Sequence, residues 1–176
     1  MRKLAIFLLV VMTNYSQGQS ICREYIPNNW DDSRYRIENI GGDSIVTDIQ
    51  SGLIWQQCTY GLLGEECSQG IVENLTWQGA LESAELINSS TGFAGYTDWR
   101  VPNLKELNTI QALNCYSPSI NNTIFPNTIY VNGIRYWTST PAFISNTSWV
   151  VSFFSGESDT WGRISDTYVV RLVRGK

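Results

Sequence analysis

Residues 44–48 set the apolar pair Ile45 and Val46 among polar neighbours, a Gln50, Ser51, Gly52 turn follows, and residues 53–57 resume an apolar run centred on Trp55. That pattern predicts a β-hairpin. From Thr76 the period becomes helical. Trp77, Ala80, Leu81, Ala84 and Ile87 form one stripe as far as Asn88, while Glu82 and Glu85 face the other way and Leu86 is a misfit. A glycine-aromatic loop over residues 91–96 leads into Asp98, Trp99 and Arg100. Asn103 and Glu106, just after Pro102, stand at capping-box spacing and start a second short helix carrying Leu104, Leu107 and Ile110.

Residues 114–135 show no period and are rich in Asn, Pro, Thr and aromatics, as functional or mobile loops are. Strands are predicted over residues 136–140 and 149–153, the latter with Trp149, Val151 and Phe153 on one face. A polar turn centred on residues 155–159 then precedes a final strand over residues 168–174. That strand is apolar on both faces except for its arginines, which predicts a central position; Arg171, if buried, would need an acidic partner. Two helices between strands at both ends make an α+β domain.

Ahead of this pattern stand Met1, Arg2 and Lys3, a continuous apolar run over residues 4–12, and a polar stretch ending in Ser16, Gln17 and Gly18. This order predicts a secretory signal peptide over residues 1–18, leaving residues 19–176 as one domain. The apolar run is about half the ~20 residues that a membrane span needs, so no transmembrane segment is expected after processing. The expected location is the periplasm, the cell surface or the medium. All four cysteines lie beyond the leader, and four allow three connectivities. Cys58 and Cys67 bracket the short polar loop 59–66, which pairs them and leaves Cys22 for Cys115.

Composition narrows the chemistry. The chain of 176 residues has 43% hydrophobic residues and seven Trp, but no histidine. Ser-His-Asp catalysis, Cys-His catalysis and imidazole metal sites are therefore excluded, and with the thiols in disulfides no catalysis is expected. The formal charge of −4, falling to −6 once Arg2 and Lys3 leave with the leader, argues against nucleic acid as a partner.

Candidate binding residues are few. Trp161, in a polar turn, is the indole expected to be exposed, and a flat exposed indole suits the apolar face of a sugar ring. Asn121, Asn122, Asn127 and Asn132 on the long loop could supply hydrogen bonds, against the alternative that they satisfy their own loop backbone. Glu157 and Asp159, with Asp166, Ser155 and Ser158, offer a weak oxygen set for calcium, with no Asp-x-Asp-x-Asp-Gly spacing behind it. Otherwise no cofactor is expected. Asp98 and Arg100 would share one side of a strand around an inward Trp99, reading as an ion pair that orders the loop.

The chain resembles the Lcl C-terminal domain family, that of the C-terminal domain of the Legionella collagen-like adhesin, in a series of blocks that occur in order. They are Asp48 with Gly52 to Gln56, Thr76 and Trp77 with Ala80 and Leu81, and Gly95 through Asn103 with Glu106 and Leu107. Ile120 and Asn121, Phe125 to Asn127, Tyr136 to Ser139, Trp149 to Phe153 and Val170 to Arg174 complete them. The resemblance implies a C-type-lectin-like fold, with two helices, a small antiparallel sheet, a long irregular loop region and two disulfides. It also implies a bacterial, exported binding or adhesion-type domain, with an envelope or extracellular carbohydrate as partner. The alternative is a structural or protein-interaction module with an envelope protein partner. The chain lacks collagen-like repeats, and its acidity suits sulfated polymers poorly.

Overall fold

The computed structural model describes residues 19–175; the predicted signal peptide and Lys176 lie outside the described residues. The chain runs through β1 (Ile21–Cys22), a 3-10 turn (Asp32–Arg34), β2 (Tyr35–Ile40), β3 (Asp43–Asp48), β4 (Ile54–Gln56), β5 (Leu62–Leu63) and β6 (Gln69–Gly70). Helices α1 (Trp77–Asn88) and α2 (Leu104–Thr109) follow, then β7 (Cys115–Tyr116), β8 (Tyr136–Pro141), β9 (Thr147–Val151), β10 (Ser158–Arg163) and β11 (Val173–Arg174). The predicted hairpin β3–β4 sits inside a four-stranded sheet of order β11-β4-β3-β2, and a three-stranded sheet has the order β10-β9-β8. The domain is α+β with small antiparallel sheets.

Both helices begin where the sequence places them. The Thr76 hydroxyl accepts from the Gly79 N–H at 3.1 Å. Asn103 Oδ1 accepts from the Glu106 N–H at 2.9 Å while Glu106 Oε2 accepts from the Asn103 N–H at 2.8 Å, a complete capping box. On α1 the apolar stripe faces inward with Ser83 added to it, and Leu86 is exposed. Glu106 also takes two 2.7 Å hydrogen bonds from the Arg100 guanidinium. Arg100 is thus paired with Glu106 and Asp98 with Arg174, not with each other as the strand register suggested.

Two apolar clusters fill the interior. One gathers Tyr35, Trp55, Leu107, Phe125, Tyr136 and Phe153; the other gathers Ile45, Ala80, Trp99, Val101, Trp137 and Leu172. The buried indoles Trp99 and Trp137 donate to Phe93 O and Leu75 O, so they cross the core without stranding that donor. Gly162 lets β10 lie against this layer. A Cβ there would stand 2.6 Å from Val150 Cγ1 and 2.7 Å from Trp137 Cζ3.

Four expectations need correcting. The final strand is only Val173–Arg174, although residues 169–173 are all buried and Gln56 and Tyr60 donate to Leu172 O and Val170 O. A strand, β10, occupies part of the supposed polar turn, because Asp159 and Gly162 pair with β9 around a bulge that breaks the alternation. On β9 the buried side chains are Ser148, Val150 and Val151, and Trp149 is half-buried, as is Trp77. Arg171 is buried without an acidic partner among the described residues. It donates to Thr128 Oγ1 at 2.8 Å and lies 4.7 Å from the Phe125 ring centroid.

The disulfides join Cys22 to Cys115 and Cys58 to Cys67, as paired from the sequence. In the chain-entropy model the two closures contribute about 4.7 and about 2.7 kcal/mol. The first clips β1 to β7 and helps seat the N-terminal segment, where Asn29 Nδ2 donates to Gln111 O and the Trp30 indole to Asn114 Oδ1. Among the described residues, no helix is long and apolar enough to cross a membrane.

Candidate functional site

Three side-chain amides help fasten the long irregular loop. At its start Asn121 is buried; its Nδ2 donates to Trp30 O at 2.9 Å and to Asp32 Oδ1 at 2.6 Å, while its Oδ1 accepts from Thr123 N–H. In the middle, Gln57, reaching over from the residue after β4, donates through Nε2 to Ile124 O at 3.0 Å. At the far side Asn127 Nδ2 donates to Glu66 O at 2.6 Å, which ties the long loop to the disulfide loop.

These ties leave a groove of about 520 Å³. Its walls are Ile37, Asn39 and Ser44 of the β2–β3 hairpin, Glu65 and Glu66 of the disulfide loop, and Asn122, Thr123 and Pro126 of the long loop, with Gln57 between them. The disulfide loop holds its shape through the tight β5–β6 ribbon. Gly70 there has φ +83°, and a Cβ on it would meet Gly61 O at 2.2 Å. A second depression of about 630 Å³ shares Asn39, Glu65 and Glu66 and continues past Asp43 and Gln69.

Two of the groove's oxygens have no donor among the described residues: Gln57 Oε1, on a residue only 3% exposed, and Asn122 Oδ1. Each such buried acceptor carries a cost of about 1–3 kcal/mol, and both atoms are closed to solvent. Asn39 and Ser44 are already engaged, Asn39 Nδ2 donating to Ser44 Oγ and Asn39 Oδ1 accepting from Gly42 N–H. Among the described residues Glu65 and Glu66 form no ion pair, and neither depression is lined by a Lys or Arg. The site is therefore acceptor-rich, acidic and bounded by Ile37 and Pro126.

The structure does not assemble the predicted ligand set in one place. Asn121 cannot meet a ligand, because its amide is spent on the N-terminal segment. Asn127 builds the groove instead of lining it, Asn132 is exposed at a turn closed by the Ile134 N–H to Val131 O bond, and only Asn122 reaches the groove wall. Trp161 is 79% exposed as predicted, but on β10 and not among the groove's lining residues. Asp159 is ion-paired with Arg135 and accepts from Trp161 N–H, while Glu157 accepts from Ser155 Oγ. Among the described residues no three His, Cys, Asp or Glu side chains come close enough to hold a metal ion.

Gln57, Glu65 and Glu66 were missed. The available signal was a glutamine following Trp55 in an inward register, and two carboxylates just before the second cysteine of a disulfide loop.

Comparison with known proteins agrees with the block pattern. The Lcl C-terminal domain family matches residues 44–174, a span that takes in both helices and most of the groove's lining. The chain belongs to the Lcl C-terminal domain family. In this Lcl C-terminal domain, Ile37 and Asn39 of the groove stand on β2, ahead of the matched span. No curated protein matches the chain.

Proposed function

We propose that this Lcl C-terminal domain is an exported, adhesion-type binding module of C-type-lectin-like build that takes a carbohydrate in the groove and does no chemistry on it. The observation that carries the reading is the groove itself, walled by Ile37 and Pro126 beside the polar residues Asn39, Ser44, Gln57 and Asn122. Sugar hydroxyls pair with amide and hydroxyl side chains, and the apolar wall suits the C–H face of a ring. Both disulfides support export, since such bonds persist in oxidising compartments: periplasm, cell surface or medium. The reading requires no cofactor.

A glycan array tests it. Binding above background, unchanged by chelation of calcium and lost in Asn122→Ala, is the expected result; no glycan bound by the wild type sinks the reading.

A second reading, a protein-interaction module of the envelope, is favoured by a different surface. Phe143 and Ile144 at the β8–β9 turn, with Trp161 and Ile164 at β10, are exposed apolar side chains, and the Ile164 N–H to Asn146 O bond brings the two segments together. Cross-linking in the native envelope would favour it by capturing a stoichiometric protein partner that Trp161→Ala loses and Asn122→Ala keeps.

A further inference from the structure

We propose that the free edge of β2 is a dimer interface. A second copy of this chain adds its own β2 antiparallel about a two-fold axis at Ile37, so that Arg36 of each copy faces Glu38 of the other. This holds whatever the groove binds.

The open edge is the first ground. β2 ends the four-stranded sheet and pairs only with β3. Their hairpin turns on Gly41 and Gly42, both at positive φ, so Ile40 and Asp43 form a hydrogen-bonded pair. By alternation Glu38 with Ile45 and Arg36 with Thr47 are the next such pairs. The β4 side agrees: Ser44 O accepts from Gln57 N–H and Asp48 N–H donates to Leu53 O, so these groups turn away from β2. The N–H and C=O of Ile37 and Asn39 therefore point out of the sheet. Among the described residues neither finds a main-chain partner beyond the sheet. An exposed strand with such a row of free groups is a template for another strand.

Charge is the second ground, and it selects the register. Charged side chains on an edge ordinarily deter pairing. Two antiparallel β2 strands can join only where outward groups meet, which places odd-numbered residues opposite odd-numbered ones. With the axis at Ile37, that residue exchanges main-chain hydrogen bonds with Ile37 of the second copy. Arg36 then stands directly opposite Glu38 of the other copy, twice by symmetry, in the non-hydrogen-bonded pairs where side chains come closest. Moving the axis one residue either way opposes Arg36 to Arg36 or Glu38 to Glu38, and like charges directly opposite destabilise a sheet. Within one chain these two side chains lie 2.9 Å apart and are 65% and 38% exposed, so neither charge is committed to the interior. A patch that complements itself about one axis is what a two-fold dimer requires.

Residues facing each other across antiparallel strands share a sheet face. The two grooves, each lined by Ile37 and Asn39, would thus open on the same side of the joined sheet, one on each side of the axis. A repetitive surface ligand held at both gains avidity without any new contact. β2 stands ahead of the family-matched span, so family membership alone does not imply this interface.

The experiment is sedimentation velocity of the whole domain, residues 19–176, from about 10 μM to about 1 mM, because a contact one strand wide is of the weak, concentration-dependent class. The wild type is expected to move from monomer to dimer across that range. Arg36→Glu and Glu38→Arg should each self-associate about tenfold more weakly or less, since both cross-strand pairs become repulsive at once. The double variant Arg36→Glu/Glu38→Arg, and an equimolar mixture of the two single variants, should recover the wild-type dimer. Amide hydrogen exchange reports the edge: Ile37 and Asn39 should gain protection as concentration rises, while Arg36 and Glu38 are protected throughout.

A wild type that stays monomeric at about 1 mM overturns the proposal. So does a dimer that both single variants keep, or one that forms without protecting the Ile37 and Asn39 amides, since either uses another face. Single variants that lose the dimer but are not rescued by mixing or by the double swap overturn the register. None of these outcomes touches the carbohydrate reading, which the glycan array tests by itself.

Discussion

Among the buried polar atoms of the described residues that have no partner, two groups have opposite chemistry. Around Arg171 the orphans are donors. The guanidinium is fully buried, NH2 is held by Thr128 and more distantly by Thr59, and Nε and NH1 have no acceptor among the described residues. The Phe125 and Tyr136 rings close over the charge at 4.7 and 6.0 Å, and burial lowers the Arg171 pKa to about 10. In the groove the orphans are acceptors, and they stand among loops and exposed carboxylates. A donor set enclosed by aromatic rings is a structural cost the fold has to carry. The acceptor set beside the groove is also closed to solvent, so it is a cost of the same kind. A missing bond alone marks neither orphan as functional.

The sharpest way to break the comparison is at the aromatic wall. Phe125→Ala should cost about 3–5 kcal/mol, since it opens a cavity and uncovers the guanidinium; denaturant unfolding measures it, and a loss under about 1 kcal/mol would mean the ring is not the lid. Removing the short disulfide with Cys58→Ala/Cys67→Ala should cost about 2.7 kcal/mol and also abolish groove binding, because it frees the wall carrying Glu65 and Glu66. Thr128→Val should cost about 1–3 kcal/mol by taking the acceptor from Arg171, whereas Arg171→Met, which removes the charge itself, should stay within about 1 kcal/mol of wild type. If the methionine variant proves the worse of the two, the buried charge is a net asset.

Acid should act on neither region first. Asp48 is pushed up by burial, but the hydrogen bonds from Arg34 and Ser51 outweigh that and hold its pKa below the ordinary value; Glu106 is held down in the same way by Arg100 and the Asn103 N–H. A depressed folded pKa contributes stability above the unfolded value and loses it as pH falls through the folded one. Melting temperature should therefore fall progressively below about pH 5 and be flat above it. The Asp48→Asn variant, with one of these carboxylates removed, should show a shallower acid limb. The smallest stability effect belongs to the groove itself. Asn122→Ala should move unfolding by no more than about 0.5 kcal/mol while removing ligand binding, so a large loss of stability would make Asn122 structural.

Much of this was legible along the chain. Thr76 and Asn103 are caps by local spacing alone, the β3–β4 hairpin follows from two short apolar runs on either side of the Gln50–Gly52 turn, and the short disulfide follows from two cysteines that bracket one short loop. Reading failed where neighbours in space decide. Arg171 looked as though it required a carboxylate because sequence offers charge as the obvious partner, while the fold supplied threonines and aromatic rings. Asn121 looked like a ligand residue because an asparagine in a long loop gives no sign that residues 30–32 will fold back over it. The bulge in β10 hid a strand by spoiling its period.

The sequence by itself determined the local elements, the absence of imidazole chemistry and the four cysteines available for cross-linking, because these depend on neighbours within a few residues or on composition. Only the tertiary structure decided which amides are spent on building and which keep an unpaired oxygen. Asn121, Gln57 and Asn127 anchor the long loop through backbone groups up to 91 residues away, and Asn122 is left with an oxygen facing no donor. Hydrogen-bond satisfaction is a property of the folded surroundings, so four chemically alike side chains acquire different roles only once the chain has closed on itself.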